Sequence, residues 1–124
     1  MNGASTLKKK TSYQHGLWAE SMAAFYLRLK GYRILKWRYK TPIGEIDLIA
    51  QKGTALVFVE VKLRPRLDQG LEAVQEKSQR RIEAAARHYM AQSRSPVLDM
   101  RFDVIAISWP YFIRHLDNAW RPDT

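Results

Sequence analysis

Asp47, Glu60 and Lys62 are the residues of this chain whose types and spacing suggest chemistry. They lie in GEIDLIAQKGTALVFVEVK, Gly44 to Lys62, which reads as two apolar strands around a Gln51-Lys52-Gly53-Thr54 turn. Side chains alternate along a strand, so Glu45, Asp47 and Ile49 share one face. On the next strand Leu56, Phe58, Glu60 and Lys62 share a face, while Val57, Val59 and Val61 take the other. A two- or four-residue loop about Lys52-Gly53 gives an odd pairing register. That register sets Asp47 on the face of Glu60, opposite or diagonal to it, within roughly 4.5–8 Å. A one-residue slip would send the two to opposite faces.

Two carboxylates held that close repel by on the order of 4 kcal/mol at contact distance in an intermediate dielectric. A divalent cation turns the repulsion into binding energy, and carboxylate oxygens are the donors that Mg2+ or Mn2+ prefers. Lys62 leans over the same spot, where an ammonium can orient a water or neutralise a developing negative charge. On spacing alone, a solvated strand face is the simpler account of Glu60 and Lys62. Phe58 on that face argues against it. So does Glu20, the sole acid of a basic, largely apolar helix. Packed on this face, that helix would bring Glu20 in as a third carboxylate; otherwise Glu20 is a solvated residue near Lys or Arg.

The elements that must hold these groups follow from periodicity. A helix is expected from about Tyr13 to Lys30, stopped by Gly31, with apolar stripes at Trp18, Met22, Phe25 and Leu29 and at Leu17, Ala24 and Leu27. Tyr32 to Arg38 predicts a strand, broken by Thr41-Pro42-Ile43-Gly44. Strands over Glu45–Ala50 and Ala55–Leu63 follow. Gln69 to Ala91 predicts a second helix, facing a core with Leu71, Val74, Ile82, Ala85, Ala86 and Tyr89. Arg101 to Ile107 predicts a fourth strand, and the tail from Trp109 to Trp120 has no readable period. The α-β-β-β-α-β order points to an α/β fold, a mixed sheet flanked by helices.

At 124 residues the chain fits one domain over residues 13–124, preceded by a flexible basic arm over residues 1–12. It has no Cys, which excludes disulfides and thiolate metal sites. The N-terminus is basic without a following apolar run, so no secretory signal is expected, and no membrane span is expected either. The expected location is cytoplasmic. Net charge is +9 and uneven: residues 1–40 carry +8, residues 41–62 carry −1 and residues 63–124 carry +2. Such a field attracts polyanions, nucleic acid above all. His15, His88 and His115 show no metal-ligand spacing. No Gly-rich phosphate loop is present, so no nucleotide cofactor is expected, and Ser12, Ser21 and Ser78 lack a base for nucleophilic catalysis.

The ordered set Glu20, Asp47, Glu60 and Lys62 resembles the PD-(D/E)XK nuclease superfamily, with its helix Glu, motif Asp and Glu-x-Lys. The chain is more closely similar to the small bacterial YraN-like family of predicted endonucleases, relatives of archaeal Holliday junction resolvases. GEIDLIA, LVFVEVK, AVQEKSQRR, RFDVIAI and FIRHLDNAW carry the likeness, which covers about Gln14 to Trp120. Where that family has Asn-x-Arg before the Gly-Glu-Ile-Asp strand, this chain has Arg38 and Lys40. Lys77 best matches the family's polar residue on the helix after Glu-x-Lys.

The resemblance implies a restriction-endonuclease-like fold and metal-dependent phosphodiester hydrolysis. Asp47, Glu60 and the Val61 carbonyl would hold Mg2+ or Mn2+, with Glu20 reaching the ion directly or through water. Lys62 would position the attacking water. Lys36, Arg38, Lys40, Arg64, Arg66, Lys77, Arg80 and Arg81 would grip backbone phosphates, with Lys8 to Lys10 and Arg33 as further candidates. Such contacts supply affinity without sequence readout and weaken with salt. Trp37 and Tyr39 are candidates to stack on unpaired bases, although alternation sends at least one of them to the core. DNA is the leading partner, and RNA stays open. Cutting a four-way junction symmetrically would call for a homodimer. The rival reading is a non-catalytic nucleic-acid-binding module on a nuclease fold. A second rival, a basic scaffold for protein partners, expects little salt-dependent DNA affinity.

Overall fold

The computed structural model describes residues 3–65, 75–93, 99–108 and 112–122, with side chains from Gly16 onward. Helix α1 runs over Gly3–Leu29, followed by β1 (Arg33–Lys40), β2 (Glu45–Lys52), β3 (Ala55–Leu63), α2 (Glu76–Gln92), β4 (Asp99–Ser108) and β5 (Phe112–Trp120). The expected α-β-β-β-α-β order is present, and β5 is added from the tail. The segment Phe112–Trp120 hides its strand because most of its side chains stay exposed on either face and Asn118 takes φ +53. The part of the second predicted helix before Gln75, with Leu71 and Val74, lies outside the described residues, as does Arg66.

Helix α1 starts at Gly3, well before Tyr13, so residues 3–12, expected as an arm, are helical. Leu and Lys favour the helix there, and no proline interrupts it. Its buried face also differs from the predicted stripes. Ala19, Ala23, Ala24 and Leu27 are buried, with Trp18, Met22 and Tyr26 beside them, whereas Phe25 and Leu29 are 58% and 72% exposed. Small alanines let the helix backbone lie close on the sheet, so Leu17, Phe25 and Leu29 fall outside the contact while Ala24, Leu27, Trp18 and Met22 of the expected stripes lie in or beside it.

The sheet order is β1-β2-β3-β4-β5, antiparallel throughout except for the parallel β3/β4 pair. The hairpin register runs from Lys52↔Ala55 to Leu48↔Val59, an odd register with Gly53 and Thr54 as its loop. Gly53 takes φ +57, a conformation glycine adopts without the penalty of a Cβ.

Each face of the sheet carries a helix. On the α1 side Leu48, Ala50, Val57, Val59, Ile105 and Ile107 pack under the helix alanines. On the other side Ile49, Leu56, Phe58, Phe102 and Val104 pack under Ile82, Ala85 and Ala86 of α2. Phe102 stacks between Phe58 and Trp120, with ring centroids 5.5 and 5.1 Å apart. Trp120 Nε1 donates to buried Glu83 at 3.0 Å, tying β5 to α2. The result is a mixed α/β domain, consistent with the restriction-endonuclease-like fold.

Candidate active site

Both strands of the β1/β2 pair switch sheet faces at one level. On an ideal strand, residues 37 and 39 share a face. Here Trp37 lies under Arg28 of α1, its ring centroid 5.9 Å from the guanidinium carbon, whereas Tyr39 packs on Tyr89 of α2 and bonds His88 Nδ1 at 2.7 Å. Arg38 between them has φ +49, a left-handed conformation that costs a non-glycine residue roughly 1–3 kcal/mol. Opposite, Leu48 belongs to the α1-side core and Ile46 to the α2-side core. Asp47 sits at the switch.

The β2/β3 ladder reaches Leu48↔Val59, and beyond it the Asp47 side chain takes over: its Oδ2 accepts the Val61 N–H at 2.8 Å. Extending the register by one residue sets Asp47 beside Glu60. Both line a cleft of ≈ 540 Å³ with Glu45, the Thr41–Gly44 turn, and Ser78, Arg81 and Ile82 of α2. The turn is closed by its own hydroxyl, Thr41 Oγ1 accepting from Gly44 N at 3.0 Å and donating to Gly44 O at 2.7 Å. It packs directly on α2: a Cβ on Gly44 would stand 2.5 Å from the Arg81 carbonyl oxygen, so only glycine allows this wall of the cleft.

Burial pushes the Glu60 carboxyl up to about 8, and neighbouring Asp47 adds to the shift while Lys62 opposes it. Burial also raises Asp47, to about 6, against the Val61 N–H bond that lowers it; Glu20 and Glu45 raise it further and Arg38 opposes. The cause is common to both: partly desolvated carboxylates face each other with too few donors. Strongly perturbed groups in a cleft mark functional sites more often than structural ones.

The structure thus brings Asp47 and Glu60 together, with Lys62 next along β3. Glu20 approaches from α1, and its Oε1 is held by Arg38 Nε at 2.6 Å. Among the described residues, no group of three Asp, Glu or His side chains is gathered closely enough to hold a metal ion. Of the basic residues, Arg81 lines the cleft; Lys36, Lys40, Arg64, Lys77 and Arg80 are exposed. Arg38 is engaged by Glu20. Of the two aromatic candidates, Trp37 is 44% exposed and Tyr39 belongs to the aromatic packing on α2. Ser78 and Glu45, to which the sequence assigns no role, both line the cleft. Ser78, Arg81 and Ile82 stand at i, i+3 and i+4, so helical spacing alone places them on one face.

The profile of the family described as "Uncharacterised protein family UPF0102" matches residues 19–107. The chain is 49% identical over 115 residues to a UPF0102 protein of Parvibaculum lavamentivorans, covering 90% of this chain and 84% of that one. It is 45% identical to a UPF0102 protein of Chelativorans sp., covering 97% and 98%, and 46% identical to one of Mesorhizobium japonicum, covering 90% of each. Among the described residues no helix is long and apolar enough to cross a membrane.

Proposed function

We propose that this chain, which belongs to the UPF0102 family, is a metal-dependent nuclease that hydrolyses phosphodiester bonds of nucleic acid, DNA in the first place. The observation that carries the reading is the juxtaposition of two half-buried carboxylates, Asp47 and Glu60, in an open cleft, with the Lys62 charge acting on Glu60. Two raised carboxyls, of which Asp47 accepts the Val61 N–H, form a donor set suited to a hard divalent cation, Mg2+ or Mn2+. Asp47 and Glu60 would hold it, with the Val61 carbonyl as a further oxygen. When bound, such an ion polarises the scissile phosphate and acidifies water.

The chain's own residues do the rest. Lys62 stands near enough to Glu60 to stabilise its anionic form, and its ammonium orients the attacking water and offsets charge growing on phosphorus. Arg81 on the cleft wall, with exposed Lys77 and Arg80 on the same helix, grips phosphates flanking the scissile bond. The basic α1 and β1 add long-range attraction for the polyanion.

Pure protein incubated with labelled duplex, single-stranded, flap and four-way-junction DNA, in Mg2+, Mn2+ or EDTA, tests this. The expected result is metal-dependent cleavage that falls by about 100-fold or more in Lys62→Ala. Salt-sensitive binding without cleavage under every condition would overturn it and leave a binding module on a nuclease fold.

A further inference from the structure

Glu20, like Glu45, is a further carboxylate within electrostatic reach of Asp47, yet its oxygen is engaged by a guanidinium. Arg38 falls opposite Asp47, between the Trp37↔Leu48 and Tyr39↔Ile46 pairs, and its left-handed backbone marks the level at which the strand changes faces. The ion pair is short at 2.6 Å and only partly shielded, with Arg38 30% and Glu20 13% exposed. A guanidinium prefers phosphate as readily as carboxylate, and both are held by the same planar donor fork.

We propose that Arg38 is a substrate-exchanged latch on Glu20. In the free protein Arg38 holds Glu20. A backbone phosphate of nucleic acid entering the cleft takes the guanidinium, and the released Glu20 carboxylate joins Asp47 and Glu60 in binding the cation. This rests on the metal-site reading given above and adds its regulation: the ion is bound tightly only when substrate is present. The exchange trades one charge-assisted pair for another, so it runs easily in both directions. By reciprocity, the cation must tighten nucleic-acid binding by the same factor. Arg38 acts here through Glu20 and is a positioning residue.

Mn2+ affinity, measured by calorimetry with and without a short phosphorothioate oligonucleotide duplex, tests the latch without reference to turnover. In the unaltered protein the oligonucleotide should tighten Mn2+ about 10-fold. Arg38→Gln should bind Mn2+ about 10-fold tighter without oligonucleotide and gain little from it. Glu20→Gln should match the unaltered protein without oligonucleotide and lose the gain with it. In the double variant the tightening by Arg38→Gln should vanish, whereas a simple charge effect would persist. Persistence of that tightening, or an oligonucleotide that leaves Mn2+ affinity of the unaltered protein unchanged, would overturn the latch. Asp47→Asn separates the two ideas. If it abolishes Mn2+ binding while the cycle is additive, only the latch fails; if it binds Mn2+ normally, the metal-site reading fails and the latch with it.

Discussion

Two clusters of this molecule take carboxylates out of water, Asp103 fully and the Asp47/Glu60 pair in part, and they do so in opposite ways. Asp103 on β4 is fully buried and saturated. Arg101 Nε and Nη2 donate to its two oxygens at 2.9 and 2.7 Å, Asn118 N donates at 3.0 Å, and His115 Nε2 lies 2.7 Å away. Lys30 Nζ stands 3.0 Å from His115 Nδ1, and a lysine ammonium can only donate, so Nε2 carries the imidazole hydrogen that Asp103 receives. Burial pushes Asp103 up, but the His115, Arg101 and Asn118 bonds outweigh it and hold the carboxyl below its ordinary range. Asp47 and Glu60 are less buried, yet both are pushed up, because burial and like charges (Glu20 and Glu45 at Asp47, Asp47 and Glu45 at Glu60) outweigh the Val61 N–H bond to Asp47 and the opposing Arg38, Lys62 and Arg64 charges. Burial of an acid is therefore a poor guide to function. The shortage of donors is the better one: the Asp103 cluster is a clamp joining β4 and β5, with Tyr26 of α1 packed edge-on to His115, whereas the Asp47/Glu60 cleft is left short of donors.

The comparison can be broken most sharply at the clamp. Asp103→Ala leaves the Arg101 guanidinium without its carboxylate and should cost about 3–5 kcal/mol in urea unfolding. A loss below about 1 kcal/mol would mean the network adds no net stability and the contrast is only geometric.

A change of opposite sign is expected in the cleft. The Glu60 carboxyl is raised from the usual 4.5 to about 8, so the folded chain binds that proton more tightly than the unfolded chain. Its stabilising contribution is full below about pH 4.5 and is lost as pH rises through about 8. In EDTA, Glu60→Gln should match the unaltered protein near pH 4.5 and exceed its Tm by roughly 5 °C above pH 8. Asp103, whose carboxyl is depressed, should show the reverse slope, losing stability as pH falls through its lowered value. Parallel pH profiles for the two sites would remove the distinction.

The smallest effect belongs to Lys30, an exposed residue over the Tyr26 ring that meets His115 at the clamp's edge. Lys30→Ala should cost less than about 1 kcal/mol by the same unfolding measurement. A cost as large as that of Asp103→Ala would extend the clamp to the turn that follows α1.

Much of this was legible locally. In the Gly44–Leu63 hairpin, two-residue alternation and a glycine-containing turn determine the register, and the register alone puts Asp47 on the face of Glu60. Residues that decide such a feature are near neighbours, so composition and spacing are enough. Helix α2 was readable from Ile82, Ala85 and Ala86 for the same reason. The face of α1 was legible in part: Ala24 and Leu27 are buried and Trp18 and Met22 pack beside them, whereas Leu17, Phe25 and Leu29 are exposed because Ala19 and Ala23, which carry little hydrophobic signal, take the contact with the sheet.

What only the tertiary structure decided are the partners of the charges. Glu20 meets Arg38 across 18 positions, Tyr32 meets Arg101 across 69, and Lys30 meets His115 across 85. No periodicity couples residues so far apart; chain folding brings them together, and the choice depends on which donors are nearby once water is excluded. The left-handed turn at Arg38 is equally hidden, since nothing in Trp37-Arg38-Tyr39 requires a positive φ. It follows from the two faces these aromatics must serve. The sequence alone placed an acidic pair on one strand face. Folding decided which acids were neutralised and which were left short of donors, because neutralisation in a desolvated place depends on the donors in contact and not on order along the chain.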